Sequence, residues 1–222
     1  MSIDRPEQLN AFAEIVKEKG KHLTTLRKLL DIIEAGESAT VEFKSSARWD
    51  IRKDEAARYI EKIIVKTAAA MLNTDGGTLL IGVDDDGNIL GLANDFSTLR
   101  AKRDRDGYEI WLMNHLLKDF GKDAAAQISI SFHALADASG DGDDEAAPGA
   151  QDICRVTLQP SPRPRYVSED GNEAFYIRTG NATNKLKVSE ITPYQTTRWP
   201  VGSEFVPEPE FKPTMLQEAD QS

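Results

Sequence analysis

A chain of 222 residues, 40% hydrophobic and 29% charged, can bury one substantial core with small appendages, and none of its apolar runs is long enough to cross a bilayer. Its formal charge of −10 argues against tight, non-specific attachment to polyanions, yet residues 137–145 carry −5 and residues 201–222 carry −4, which leaves about −1 for the rest and room for a local basic face. The single cysteine, Cys154, excludes an intramolecular disulfide, and with no secretory leader at the N-terminus the protein is expected to be cytoplasmic, with no membrane partner.

Two amphipathic helices are expected first, in AFAEIVKEKG and HLTTLRKLLDIIEAGE. The second spaces Leu26, Leu29, Leu30 and Ile33 three and four apart and stops near Gly36. TVEFKS then alternates, with Val41 and Phe43 on one face and Glu42 and Lys44 on the other, as a strand does. DEAARYIEKIIVKTAAAMLNTDGG returns to helical spacing and closes in Asn73 and the Gly76-Gly77 pair. GTLLIGVDDDGNILGL predicts a hairpin: a buried strand with Leu79, Ile81 and Val83 on one face, a turn at Asp86-Gly87, and a return through Ile89 and Leu92.

RDGYEIWLMNHLLKDFG predicts a helix with Ile110, Met113, Leu116 and Leu117 on its apolar side. ISISFHAL and DICRVTLQP predict strands, the second with Cys154 as a small core hydrophobe. Between them lies an acidic, Gly- and Ala-rich loop, residues 136–151, expected to be flexible. PRPRYVSEDGNEAFYIRTGNATNKL predicts two strands around Asp170-Gly171, and VSEITPYQTTRW a last helix starting at or capped by Ser189. After Trp199 the sequence becomes Pro- and Glu-rich without periodicity. The expected organisation is a helical extension over 1–33, one domain over 34–199 and a disordered acidic tail over 200–222.

ESATVEFKSSARWD, residues 37–50, starts and ends its short strand in charge, and NTDGGTLLIGVDDDGNILGL is a second strand ending in acids. EFK, then the helix ending in LNTDGGTLLIGVDDDGNILGL, then FYIRTGNATNKL, in that order, resembles the Schlafen AlbA-like domain over roughly residues 34–199. The resemblance implies an α+β fold, a mixed β-sheet flanked by helices, in a domain associated with nucleic-acid binding. For the animal relatives it implies a metal-dependent endoribonuclease acting on structured RNA such as transfer RNA, and here a role in defence, against phage for instance, or in stress. Those relatives carry two lobes in one chain. The single copy in this sequence implies a homodimer.

In the nuclease-active relatives an E-S-x-x-[VI]-E-F-K segment supplies two glutamates, matched here by Glu37 and Glu42, with Lys44 on the following lysine. The third acid is the second aspartate of GVDD, here Asp85. The resemblance thus implies Glu37, Glu42, Lys44 and Asp85 as catalytic residues, with Mg2+ or Mn2+ on the three acids. The Cys/His zinc cluster of the animal proteins has no counterpart, so no zinc is expected.

Phosphodiester hydrolysis needs charge neutralisation at the transition state and an activated water, which a divalent ion on carboxylate oxygens supplies. If the two strands are neighbours, the acids can meet at the sheet end, with Lys44 on the face of Glu42. The alternative is a set of solvated strand ends. Arg163, Arg165, Arg178, Lys185 and Lys187, around Tyr166 and Tyr176, suit phosphate contact with ring stacking, and equally suit ordinary strand-surface charge. Arg48, Arg52 and Lys53 form a second candidate phosphate ladder. GxxxxGK[ST] is missing and Gly76-Gly77 precedes a strand, which argues against ATP. His22, His115 and His133 share no ligand spacing, and Trp49 and Trp111 are expected to pack. Three readings follow: an endoribonuclease, a non-catalytic DNA- or RNA-binding module with a regulatory or sensing role, and a protein-interaction or dimerisation domain.

Overall fold

The computed structural model describes residues 23–134 and 151–200, together with Gly20 and Gly149. The expected first helix, most of the acidic loop and the tail beyond residue 200 lie outside the described residues.

Helix α1, residues 23–35, buries Leu29 and lays Ile32 and Ile33 on Phe43, Leu80, Val83 and Ile153. It ends at Gly36, whose positive φ lets its amide return to the Ile33 carbonyl. Strand β1 (Val41–Lys44) follows, then a short antiparallel pair, β2 (Trp49–Asp50) and β3 (Glu55–Ala56), where the sequence predicts the start of the next helix. That pair exists because Asp50 organises its turn, accepting from the amides of Arg52 and Lys53 and from the Tyr59 hydroxyl. The Tyr59 bond, ahead of the amides, holds the Asp50 carboxyl below the usual range.

Helix α2 (Arg58–Leu72) starts four residues later than predicted and crosses over to β4 (Gly77–Ile81), which pairs parallel to β1 with Glu42 beside Leu79 and Lys44 beside Ile81. The helix is buried all round its last turns because it lies between two sheets, touching β4 and β6 on one side and β7, β8 and β9 on the other. Its end is pinned by Asn73, whose side chain donates to the carbonyls of Arg165 and Tyr176 and accepts from the Arg165 amide. Gly76 has φ 78°, and a Cβ there would lie 2.4 Å from the Leu158 carbonyl oxygen, so only glycine makes this turn.

The first sheet has the order β1-β4-β6-β5, with β5 (Ile128–Ala134) and β6 (Asp152–Leu158) antiparallel, so it is mixed. The second is the antiparallel series β7 (Tyr166–Glu169), β8 (Asn172–Thr179) and β9 (Ala182–Lys185). Helices and a mixed sheet make the α+β class expected from the sequence. A short α3 (Ala93–Ser97), missed in the sequence, precedes α4 (Arg105–Phe120). Helix α4 buries Tyr108, Leu112, Leu116 and Phe120, and Ile110, expected in the core, is 56% exposed. Helix α5 (Val188–Arg198) begins one residue before Ser189, with Lys187 at the cap position.

Beyond β4 the strand's alternation breaks. Leu79 and Ile81 face α2, whereas Val83 joins Leu80 on the α1 face, because Gly82 at φ 95° displaces the chain by one step. The expected hairpin return is a single bridge, Val83 to Ile89.

The second sheet is held to α2 by charge. Glu169 on β7 accepts from Lys185 on β9, Lys66 on α2 and the Tyr176 hydroxyl. Lys185 first and Lys66 second hold its carboxyl at about 2, below its ordinary 4.5. A depressed carboxylate contributes stability above its unfolded value and loses it as pH falls through the folded one. The wild-type unfolding midpoint should therefore fall between pH 4.5 and about 2 more steeply than that of Glu169→Gln; parallel curves in urea titrations would contradict this hold.

Candidate nucleic-acid interface

The alternation of β1 sends Phe43 toward α1 and Glu42 with Lys44 to the opposite face, toward the second sheet. Glu42 is 8% exposed and both its oxygens are taken: Oε1 accepts from Lys44 Nζ at 2.6 Å and Oε2 from Arg178 Nη1 at 2.6 Å. Arg178, on β8 and 7% exposed, also donates to the carbonyls of Ser38 at 2.7 Å and Ala39 at 3.3 Å. It clamps β8 to the segment entering β1. Glu37 lies at the free edge of β1, where its Oε1 accepts from the Phe43 amide at 2.8 Å and so occupies a donor that an edge strand leaves open.

Asp85 sits beyond the carboxyl ends of β1 and β4. Lys44 O accepts from the amides of Gly82 and Val83 as the chain leaves the sheet, and Asp84 closes the next turn by accepting from the Asp86 and Asn88 amides and the Asn88 side chain. The Asn88 side chain leads in holding Asp84's carboxyl below the usual range. Asp85 itself is exposed on that turn. Glu37 and Glu42 are thus brought to either side of Phe43, with Lys44 on Glu42. Among the described residues no three His, Cys, Asp or Glu groups stand together to hold an ion. The fit to Mg2+ or Mn2+ is therefore partial: the acids are of the right kind, but Glu42 is neutralised by two cations and one oxygen of Glu37 is engaged by a backbone amide.

Several expected phosphate contacts have other work. Arg165 is 2% exposed, donating to Phe120 O, Ser161 Oγ and Asp123, and Arg178 is buried on Glu42; neither guanidinium faces a polyanion, which corrects the sequence expectation for both. Tyr166 meets Phe175 edge-on and its hydroxyl accepts from Gln195, so the ring is packing and not a stacking platform. Arg163 pairs bidentately with Asp123, and the hydrogen bond from Arg165 first and that from Arg163 second drive this carboxyl well below the usual range. Lys185 pairs with Glu169, whereas Arg52, Lys53 and Lys187 are exposed. Lys53 is 3.7 Å from Asp50.

Arg48 leads to something the sequence did not disclose. The loop carrying it is fixed by the buried Asp95, which accepts from the amides of Ala47 and Arg48, from Ser46 Oγ and from the Tyr108 hydroxyl. Arg48 then lies over the Trp111 ring at 4.5 Å, with its Nε on Glu61 at 3.1 Å, and His115 stacks on Trp111 at 5.5 Å. This stack walls a cleft of about 640 Å³ between the start of α2, the segment before α4, and α4. Arg58, Arg100 and Lys118 line it, exposed and without a carboxylate partner among the described residues. They come from three separate segments, so no local sequence signal joins them.

A family model described as Schlafen, AlbA_2 matches residues 37–187. Among solved structures, the chain is similar to the DIP2311 protein from Corynebacterium diphtheriae, with 18% identity and a TM-score of 0.45 over 72% of this chain and 27% of that one. The chain therefore spans about a quarter of that protein's length. No curated protein matches the sequence.

Proposed function

The chain belongs to the Schlafen AlbA_2 family, and from that premise we propose that it binds nucleic acid, with structured RNA such as transfer RNA as its principal ligand. The observation that supports this most directly is the cleft in which Arg58, Arg100 and Lys118 gather without acidic partners, on a chain whose net charge is −10. Cations left uncompensated in one concave place raise the local anion concentration whatever the sign of the whole molecule. Arg52 is a further exposed cation on the β2–β3 turn, whereas Lys53 beside it is 3.7 Å from Asp50. Fluorescence anisotropy with labelled transfer RNA at low salt should give saturable binding that weakens steadily as salt rises. No binding at the lowest salt would overturn the proposal.

A second reading, cleavage of that RNA with Mg2+ or Mn2+ in a defence or stress role, is favoured by the placement of Glu37 and Glu42 on either side of Phe43 and of Asp85 past the end of the neighbouring strand. The ion would neutralise phosphoryl charge and acidify a water. The chain's own part is to free the Glu42 carboxylate: Lys44, one of its two partners, would turn to a phosphate oxygen while Arg178 keeps the strand in place. Asp85→Asn is the clean probe, because this exposed side chain can change without disturbing the core. Cleavage by wild type in Mn2+ that disappears with EDTA and in Asp85→Asn supports the reading. Cleavage that survives Asp85→Asn, or intact RNA in every lane, contradicts it. A homodimer would supply the second lobe that the resemblance implies for the animal members of the family.

A further inference from the structure

The cleft has the shape of a pocket more than of a track. At about 640 Å³ it falls in the range of small-molecule sites, about 300–1,000 Å³, and is closed on one side by the Arg48–Trp111–His115 stack. A continuous duplex presents its phosphates on a convex cylinder and cannot follow a wall inward, whereas a single nucleotide can. The balance of charge points the same way. An internal phosphodiester brings one negative charge, and a terminal phosphomonoester close to two near neutral pH. Arg58, Arg100 and Lys118 offer three unpaired positive charges, while Arg48 is already half-committed to Glu61.

The rest of the lining suits a base. Leu99, Ala101 and the exposed Ile110 give an apolar floor, which accounts for an isoleucine left uncovered on a helix that buries its other apolar stripe. Arg48 and His115 cover the Trp111 ring and present planar groups of their own.

We propose that this cleft binds a nucleotide through a terminal phosphomonoester, either as a free mononucleotide or as the phosphorylated end of an RNA strand, with Arg58, Arg100 and Lys118 on the phosphate and the base against the Ile110 and Arg48 side. The inference rests on the cleft being a nucleic-acid surface. It adds that the surface reads an end.

The test compares two labelled single-stranded RNA octamers, identical except for a 5′-phosphate or a 5′-hydroxyl, on the full chain by anisotropy, with tryptophan emission as a second readout. The phosphorylated strand should bind about tenfold more tightly, and Arg100→Ala with Lys118→Ala should remove that preference while far-UV circular dichroism stays unchanged. Both residues are exposed, so folding is not at stake. Displacement of the phosphorylated strand by adenosine monophosphate identifies a free nucleotide as a sufficient ligand, and failure to displace it identifies the RNA end as the source; either supports the site. Equal, salt-sensitive binding of both octamers, weakened equally by the double variant, overturns the end-reading inference and leaves nucleic-acid binding standing. No binding of either overturns both.

Discussion

Arg178→Ala is expected to destabilise the fold by about 3–5 kcal/mol, the range for breaking a buried ion pair and leaving one charge behind. The substitution strands Glu42 Oε2, and it also leaves the carbonyls of Ser38 and Ala39 without the guanidinium that spans them. Lys44 still holds Oε1, which places the expected loss toward the lower end. For a chain of this size the unfolding midpoint should drop by about 10 °C. Replacing both partners by apolar groups, Glu42→Leu with Arg178→Met, should recover much of the loss, because the penalty lies in the unpaired charge more than in the missing attraction. Two outcomes would contradict this account: a midpoint within about 2 °C of wild type, or a fall in RNA affinity in Arg178→Ala measured at a temperature where it is fully folded.

The pair shows where sequence reading stops. The alternation of VEFK makes β1 legible and puts Glu42 opposite Phe43, and the structure has both. Nothing local says that residue 178 will meet residue 42, 136 positions away, since that contact depends on how the second sheet closes over α2. FYIRTGN therefore reads equally as a phosphate-binding strand or as ordinary strand-surface charge, and the structure makes its arginine a clamp. The helix over 105–120 was legible, and of its expected apolar side Leu116 is buried and Met113 and Leu117 pack against the core, whereas Ile110 is exposed. Tyr108, Leu112 and Phe120 complete the buried stripe, Tyr108 donating its hydroxyl to Asp95, and Asp95 lies on a five-residue helix too short to show a period. Gly82 is the third case. One positive φ after β4 moves Val83 to the other face, so that counting alternate residues from Leu79 no longer predicts where Asp85 points.

The triple variant Arg58→Ala, Arg100→Ala, Lys118→Ala is expected to lose about a hundredfold in RNA affinity near 0.1 M salt, while keeping its stability, since all three side chains are exposed and carry no ion pair among the described residues. The control is Arg163→Ala. That guanidinium is also exposed, but Asp123 already neutralises it, so its removal should change affinity by less than about twofold. The contrast separates a focused cleft from a merely basic surface, and it puts the weight on three residues that no motif singles out.

The most direct test is the slope of log affinity for transfer RNA against log salt concentration, measured for wild type, the triple variant and Arg163→Ala. Every phosphate left without its cation should reduce the steepness by about 0.7–0.9, so the triple variant, which gives up at least the one phosphate held in the cleft, should be shallower by about 0.7 or more and Arg163→Ala unchanged. A triple variant with the wild-type slope, or a flattened slope in Arg163→Ala instead, would contradict the assignment of the cleft as the nucleic-acid surface.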